Sequence, residues 1–301
     1  MVVYEPSTMA EALSRLVRSS APGERPERAP ALVMAGGTYL MSRRREWSRD
    51  EGRPLVSLHR LDALSRITRT QRHLDIGAAA TLSRILSIGP NVIPDSLFAA
   101  IKSVATPSVR VLATLGGNLC SAGGEHTTLA SLCALGAQLE LRSAGGARWV
   151  PVTSLVAAAG RGVSGPEEIL TRIRLPLAEY DVEVFRREEV RIPGAREHLH
   201  FCAVARLRHG VTQELRMAMA TRSHGVLRST EFEARCAGLG LPVPPRARAE
   251  LREVLDLSLQ RFLGLSEEQE PQRRVALART RDLGLRLWDW FLAGLRSDEQ
   301  E

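Results

Sequence analysis

Two glycine doublets in apolar surroundings constrain this chain more than any other feature. The first is Gly36-Gly37, within Val33-Met34-Ala35-Gly36-Gly37-Thr38-Tyr39-Leu40. The second is Gly116-Gly117, within Thr114-Leu115-Gly116-Gly117-Asn118-Leu119. Each stands beside a hydroxyl residue. Glycine reaches left-handed dihedrals and lets a backbone approach a ligand closely. Successive N–H groups then form a concavity for an anion, and the hydroxyl adds a donor. Two such turns suit a diphosphate gripped from both sides. A lone doublet is more often an ordinary turn, so the pair carries the argument. Neither doublet has the Gly-x-Gly-x-x-Gly spacing of a Rossmann site, which leaves that fold unsupported. No lysine follows at Walker spacing, which excludes a P-loop.

The 301 residues suggest two domains at roughly 150 residues each. Apolar residues make up 44%, enough for a core. No run approaches the ~18 apolar residues of a membrane span. Met1 to Pro6 has neither the basic start nor the apolar stretch of a secretion signal, so the cytoplasm is the expected location. The net charge of +7 raises nucleic acid as a partner. However, of the 41 basic residues all but Lys102 are arginine, they are scattered, and aromatics are only 4%. Few stacking platforms remain, and nucleic-acid binding is not expected. Cys120, Cys133, Cys202 and Cys236 form no Cys-x-x-Cys pair, so no iron–sulfur cluster or zinc ribbon is expected on this chain.

Short apolar runs predict strands at Val2–Tyr4, Ala31–Met34, Leu55–Leu58, His73–Ala78, Ala137–Arg142, Trp149–Val152 and Ile169–Leu175. A capping box at Thr8-Met9-Ala10-Glu11 opens a helix, and Thr81 caps another that ends near Gly89. Ser96–Val104 and Thr127–Leu135 read as helices, and Ala113–Leu119 as a glycine-rich turn. Ser19–Pro30 reads as a polar loop and Arg43–Pro54 as a charged, exposed stretch. A boundary is expected over Pro176–Asp181. Beyond it lie strands at Val182–Glu189, Phe201–Leu207 and Leu215–Ala220, then helices at Ser229–Ala237, Arg246–Phe262 and Arg273–Leu295. The mixture predicts an α+β fold.

In this register the chain resembles the FAD-binding (medium) subunits of molybdenum hydroxylases, the xanthine dehydrogenase and carbon monoxide dehydrogenase group. The likeness runs through Tyr4-x-Pro6, Ala35-Gly36-Gly37-Thr38, Ile76-Gly77-Ala78 and Thr81. It continues through Arg110-x-x-Ala113-Thr114-Leu115-Gly116-Gly117-Asn118 and Leu132-x-Ala134-Leu135-x-Ala137. It includes Glu168-Ile169-Leu170-x-x-Ile173-x-Leu175-Pro176 and Leu227-Arg228-Ser229-x-x-x-Glu233. The resemblance implies a two-lobed FAD-binding domain of the molybdopterin-dehydrogenase type over 1–177, with lobes of about 1–58 and 59–177. It implies a smaller sheet-plus-helices domain of the CO dehydrogenase flavoprotein type over 178–301.

The resemblance also implies roles. Val33, Met34, Ala35, Gly36, Gly37, Thr38, Tyr39 and Leu40 would wrap one side of the FAD diphosphate. Thr114, Leu115, Gly116, Gly117 and Asn118 would wrap the other. Val104 would contact the flavin, Leu170 the adenine or ribose, and Arg186 takes the place of a lysine near the cofactor. Thr127 stands where relatives have an aspartate for the ribityl chain, and Gly123-Gly124 where they have Ser-Pro. FAD would be bound non-covalently, with no catalytic side chain on this chain. Electrons would arrive from [2Fe-2S] clusters on a small subunit and leave to NAD+ or another acceptor. Molybdopterin would sit on a large subunit, in a dimer of heterotrimers. The alternative is a non-catalytic assembly subunit with a degenerate flavin site. His198 and His200 lack a third metal ligand, and His126 beside Glu125 reads as polar loop.

Overall fold

The computed structural model describes residues 2–20, 31–43, 53–121, 124–154, 165, 167–192 and 195–295. Most of the polar loop expected over 19–30, the charged stretch 44–52 and Gly123 lie outside them. The chain divides into two compact units. One comprises 1–92, 104–124 and 136–177; the other comprises 93–103, 125–135 and 178–301. Elements are numbered in chain order.

The first unit holds two sheets. In the smaller, β1 (Val2–Tyr4) and β2 (Leu32–Met34) flank β3 (Pro54–Ser57), all parallel. Helix α1 (Met9–Ser20) packs Ala12, Leu13 and Leu16 into a cluster with Val56, Leu58, Leu61 and Leu64. Its start is fixed as the sequence predicts, the Glu11 N–H donating to Thr8 Oγ1 at 3.2 Å. The returning bond differs: the Glu11 carboxylate accepts from the Ser7 N–H at 3.0 Å, one residue earlier than a reciprocal box.

The larger sheet is antiparallel. Its strands are β4 (Ile67–Arg69), β5 (His73–Gly77), β6 (Gln138–Ser143), β7 (Gly146–Pro151) and β8 (Ile169–Pro176), in the order β4-β5-β8-β6-β7. Alternation sorts its faces. Leu74, Ile76, Leu139, Leu141, Ile173 and Leu175 are buried. Between them Asp75 accepts two bonds from Arg174, at 2.7 and 2.9 Å. Arg174 also lies 4.4 Å from the Trp149 ring centroid. Short helices α2 (Thr38–Ser42), α3 (Leu82–Ile88), α5 (Pro107–Arg110) and α6 (Leu115–Cys120) complete this unit. The expected turn over Ala113–Leu119 is therefore corrected. Thr114 is an N-cap, and the second doublet forms the first turn of α6.

The second unit is a four-stranded antiparallel sheet in the order β12-β11-β10-β9. Its strands are β9 (Val182–Ile192), β10 (Ala195–Arg208), β11 (Val211–Thr221) and β12 (Gly225–Leu227). One face packs Phe201, Ala203, Met217 and Met219 against α8 (Thr230–Cys236), α9 (Pro245–Phe262) and α10 (Pro271–Gly294). Trp288 is fully buried there, while Trp290 is exposed, as two tryptophans two apart on one helix must diverge. The other face buries His200, Cys202, Val204, Ala218 and Ala220. It carries α4 (Asp95–Lys102) and α7 (Leu129–Ala134), which the Ser131 hydroxyl joins by donating to the Ser96 carbonyl at 3.1 Å. Glu183 of β9 accepts from the Ser96 N–H and hydroxyl, fixing the start of α4.

Candidate functional site

The first doublet follows β2. The Leu58 N–H donates to the Met34 carbonyl at 2.8 Å, extending the parallel pairing to the strand's last residue. The chain then turns at Gly37, whose φ of +69° is left-handed, and enters α2. Among the described residues, the N–H groups of Gly36, Gly37 and Thr38 have no protein acceptor. Gly36 has a different reason to be glycine. A Cβ there would lie 1.8 Å from the Leu112 carbonyl oxygen. The backbone of the first doublet thus rests against the segment leading to the second, and the structure brings the two together.

The second doublet is engaged differently. The Leu115 N–H donates to the Ala80 carbonyl at 3.1 Å and the Gly116 N–H to that of Ala78 at 2.9 Å. The Gly117 N–H donates to Thr114 Oγ1 at 3.0 Å. A Cβ on Gly116 would lie 2.7 Å from the Ala78 oxygen. These N–H groups hold α6 onto the end of β5. The expectation of two equivalent N–H cradles is corrected: the backbone of the second doublet is bonded internally. The half-buried Asn118 follows it, its N–H donating to the Thr114 carbonyl.

The remaining predicted residues are distributed. Val104 is half-buried, and its carbonyl accepts from Arg110 Nη1 at 2.7 Å. Arg110 also reaches the carbonyl of Ala105, which has a φ of +43°. Leu170 is 5% exposed, in the central strand β8. Val33, Val111 and Leu112 are exposed apolar side chains, and the Leu112 backbone meets Gly36. Sequence reasoning passed over Val111 and Leu112, although both lie inside the Arg110-x-x-Ala113 motif.

Thr127 and Arg186 belong to the second unit. Thr127 is buried just before α7. Arg186 pairs with Phe201 across the strands, and its guanidinium sits 4.5 Å from the Trp290 ring centroid. It therefore lies on the α8–α10 face, with the sheet between it and the α7 face. His198 Nδ1 lies 2.8 Å from Glu125 Oε2, so Glu125 is joined to His198 as well as preceding His126. Among the described residues, no three His, Cys, Asp or Glu side chains gather as a metal site. The four cysteines are unpaired, and burial pushes each thiol up to about 12, as suits packing rather than ligation.

The N–H groups at Gly36, Gly37 and Thr38, in a turn set by the left-handed Gly37, suit one side of a diphosphate. Residues 1–178 match the family described as the FAD binding domain in molybdopterin dehydrogenase. The chain is 29% identical over 176 residues to the xanthine dehydrogenase FAD-binding subunit of Escherichia coli O157:H7, covering 58% of this chain and 56% of that protein. It is 26% identical over 151 residues to the nicotinate dehydrogenase FAD-subunit of Eubacterium barkeri, covering 48% and 50%. The match thus spans about half the length of these curated relatives. Carbon monoxide dehydrogenase from Hydrogenophaga pseudoflava has a chain of similar fold, with a TM-score of 0.72 at 20% identity over 97% of this chain and 98% of that one. Reconstituted CO dehydrogenase from Oligotropha carboxidovorans gives 0.74 at 20% identity, over 95% and 94%.

Proposed function

The chain belongs to the family of FAD-binding domains of molybdopterin dehydrogenases, and from that premise we propose that it is the flavin-bearing, electron-transferring subunit of a multi-subunit molybdenum hydroxylase. One observation carries most of the support: three consecutive N–H groups at Gly36, Gly37 and Thr38 have no acceptor among the described residues. Bound FAD supplies reversible one- and two-electron transfer. The chain's own groups bind and orient it. The N–H groups of Gly36, Gly37 and Thr38 hold the diphosphate non-covalently, and the Thr38 hydroxyl adds a donor. Val33, Val111 and Leu112 offer apolar surface, and Asn118 a polar amide. No side chain here is assigned a bond-breaking role.

In this reading the division falls near 177/178, where the family match ends. The two sheets of the first unit fall within lobes of about 1–58 and 59–177, the second without 93–103 and 125–135, which pack in the other unit. The partners are an iron–sulfur small subunit and a molybdopterin large subunit, doubled into a dimer of heterotrimers. Electrons leave to NAD+ or another acceptor. The unpaired cysteines suit the reducing cytoplasm. Among the described residues, no helix is long and apolar enough to cross a membrane. A second reading, an assembly subunit with a degenerate flavin site, draws on the engaged N–H groups of Leu115, Gly116 and Gly117. The optical spectrum of the purified protein separates the two. About one releasable FAD per chain is expected. Protein that is colourless in repeated preparations and takes up no added FAD points to the assembly role.

A further inference from the structure

Scattered in sequence, several arginines come together where α9 and α10 pack side by side in the second unit. On α10, Arg279, Asp282, Arg286 and Asp289 recur every three or four residues and so share one stripe. On α9, Arg248, Arg252 and Asp256 do the same. Cross-helix bonds close the seam: Arg252 Nη1 donates to Asp289, and Arg281 Nε and Nη2 donate to Asp256. Between the helices Arg252, Arg279, Asp282 and Arg286 line a cleft of about 340 Å³. The seam holds more positive charge than its own carboxylates balance. Asp282 lies 3.7 Å from Arg281 Nη1, the guanidinium that already holds Asp256. Arg286 is exposed and has no hydrogen bond or ion pair among the described residues. Arg248, one turn before Arg252, buries its Nε without a partner among the described residues. Counting Arg248 and Arg281, five arginines meet three aspartates here, an excess of two positive charges.

The chemistry of the cleft narrows its ligand. All four lining residues are charged, so an apolar ligand gains nothing there. A guanidinium has five N–H donors and pairs with carboxylates and phosphates through two parallel bonds. A carboxylate matches one such fork. A tetrahedral phosphate directs its oxygens toward several at once, and at pH 7 a phosphomonoester carries a charge of about −1.5 to −2, close to the excess in the seam. Aspartates interleaved with the arginines disfavour a long polyanion, which leaves a compact one. At about 340 Å³ the cleft falls in the ~300–1,000 Å³ range of small-molecule sites. The bond to Asp289 holds the Arg252 guanidinium in place before any ligand arrives, which lowers the entropy lost on binding. We propose that Arg252, Arg279 and Arg286 bind the phosphate group of a small phosphomonoester in this cleft, and that Asp282 limits the site to one such group. A soluble phosphomonoester and a phosphatidic acid headgroup both offer that chemistry.

Two probes and two variants test this. The full chain, purified without phosphate, is titrated with inorganic phosphate in a calorimeter. It is also sedimented with phosphatidylcholine vesicles with and without phosphatidic acid. Arg286→Gln keeps a polar side chain and removes the charge, and its thermal midpoint should match the wild type because Arg286 is exposed and unpaired. It should bind the phosphate probe at least about tenfold more weakly. Asp282→Asn removes a like charge and should bind it more tightly. Gly37→Val, in the first unit, should leave this affinity unchanged, which separates the cleft from the flavin turn. Binding of inorganic phosphate with this pattern identifies a soluble ligand. Retention on phosphatidic acid vesicles alone, with the same response to both α10 variants, identifies a lipid headgroup. A wild type that binds neither probe overturns the site. So does an affinity unmoved by both Arg286→Gln and Asp282→Asn, or one lost in Gly37→Val alone.

Discussion

At Gly36, Gly37 and Thr38 the N–H groups have no acceptor among the described residues, whereas at Leu115, Gly116 and Gly117 every N–H group is held by Ala80, Ala78 or Thr114. Two doublets of like composition therefore do different work. The first leaves backbone donors available in a turn that needs one left-handed residue. The second joins a helix start to the end of a strand, so tightly that no side chain fits between. The difference lies in the neighbours of each doublet. Among the described residues, a Cβ added to the first doublet would meet another segment's backbone at Gly36 but not at Gly37. The second lies in the crook of β5 and the Thr81 turn, where Thr81 and Thr114 form a bridge.

The largest effect should come from adding a methyl group where backbones touch. Gly36→Ala and Gly116→Ala place a Cβ at 1.8 and 2.7 Å from a carbonyl oxygen. Each should lose on the order of 3 kcal/mol in urea denaturation of the full chain. Wild-type stability in either would erase the packing half of the comparison. The next effect is on ligand rather than fold. Gly37→Val removes the residue that tolerates φ of +69°, and should weaken FAD at least about tenfold through lost hydrogen bonds to a charged group. Gly37→Asn, which accepts a left-handed backbone, should restore most of that affinity in a fluorescence titration.

On the other side, Thr114→Ala deletes the cap of α6 and should cost about 1 kcal/mol. FAD affinity should change by less than about twofold, because the affected N–H groups serve the protein. A large loss of FAD in this variant would return the second doublet to the binding site. The smallest effect concerns Asp75 in β5. Burial raises its carboxyl, but bonds and charges from Arg174, His73 and Arg172 outweigh this and hold it below the ordinary range. A lowered pKa adds stability that is present above the unfolded value of about 3.9 and fades as pH falls through the folded value. Asp75→Asn should therefore flatten the acid limb of a stability–pH profile below the unfolded value of about 3.9, leaving FAD affinity at neutral pH unchanged.

The strands and long helices were legible because alternation and helical spacing write themselves into the sequence. Thr81 and Ser229 were legible as caps for the same local reason, and both accept from the N–H three residues on. The start of α6 was not. Glycine is a poor helix former, and two in a first turn read as a break. Nor could the sequence assign residues 93–103 and 125–135 to the second unit, since an apolar helix face does not name the sheet it will cover. That Arg186 and Arg187 face opposite sides of the sheet was hidden by parity. One residue along a strand exchanges the two faces of the sheet, and only the pairing of His200 with Arg187 places Arg187 on the α7 face.

The most direct test of the central claim, that the first doublet holds a diphosphate and the second does not, compares FAD with riboflavin. The two ligands share the flavin ring, and only FAD has the diphosphate. Dissociation constants are measured by fluorescence quenching for the wild type, Gly37→Val and Thr114→Ala. The account predicts that the wild type prefers FAD and that Gly37→Val cuts this preference at least about tenfold while riboflavin binding is unchanged. Thr114→Ala should keep the wild-type ratio. An FAD-to-riboflavin ratio that survives Gly37→Val, or one that collapses in Thr114→Ala, would contradict it.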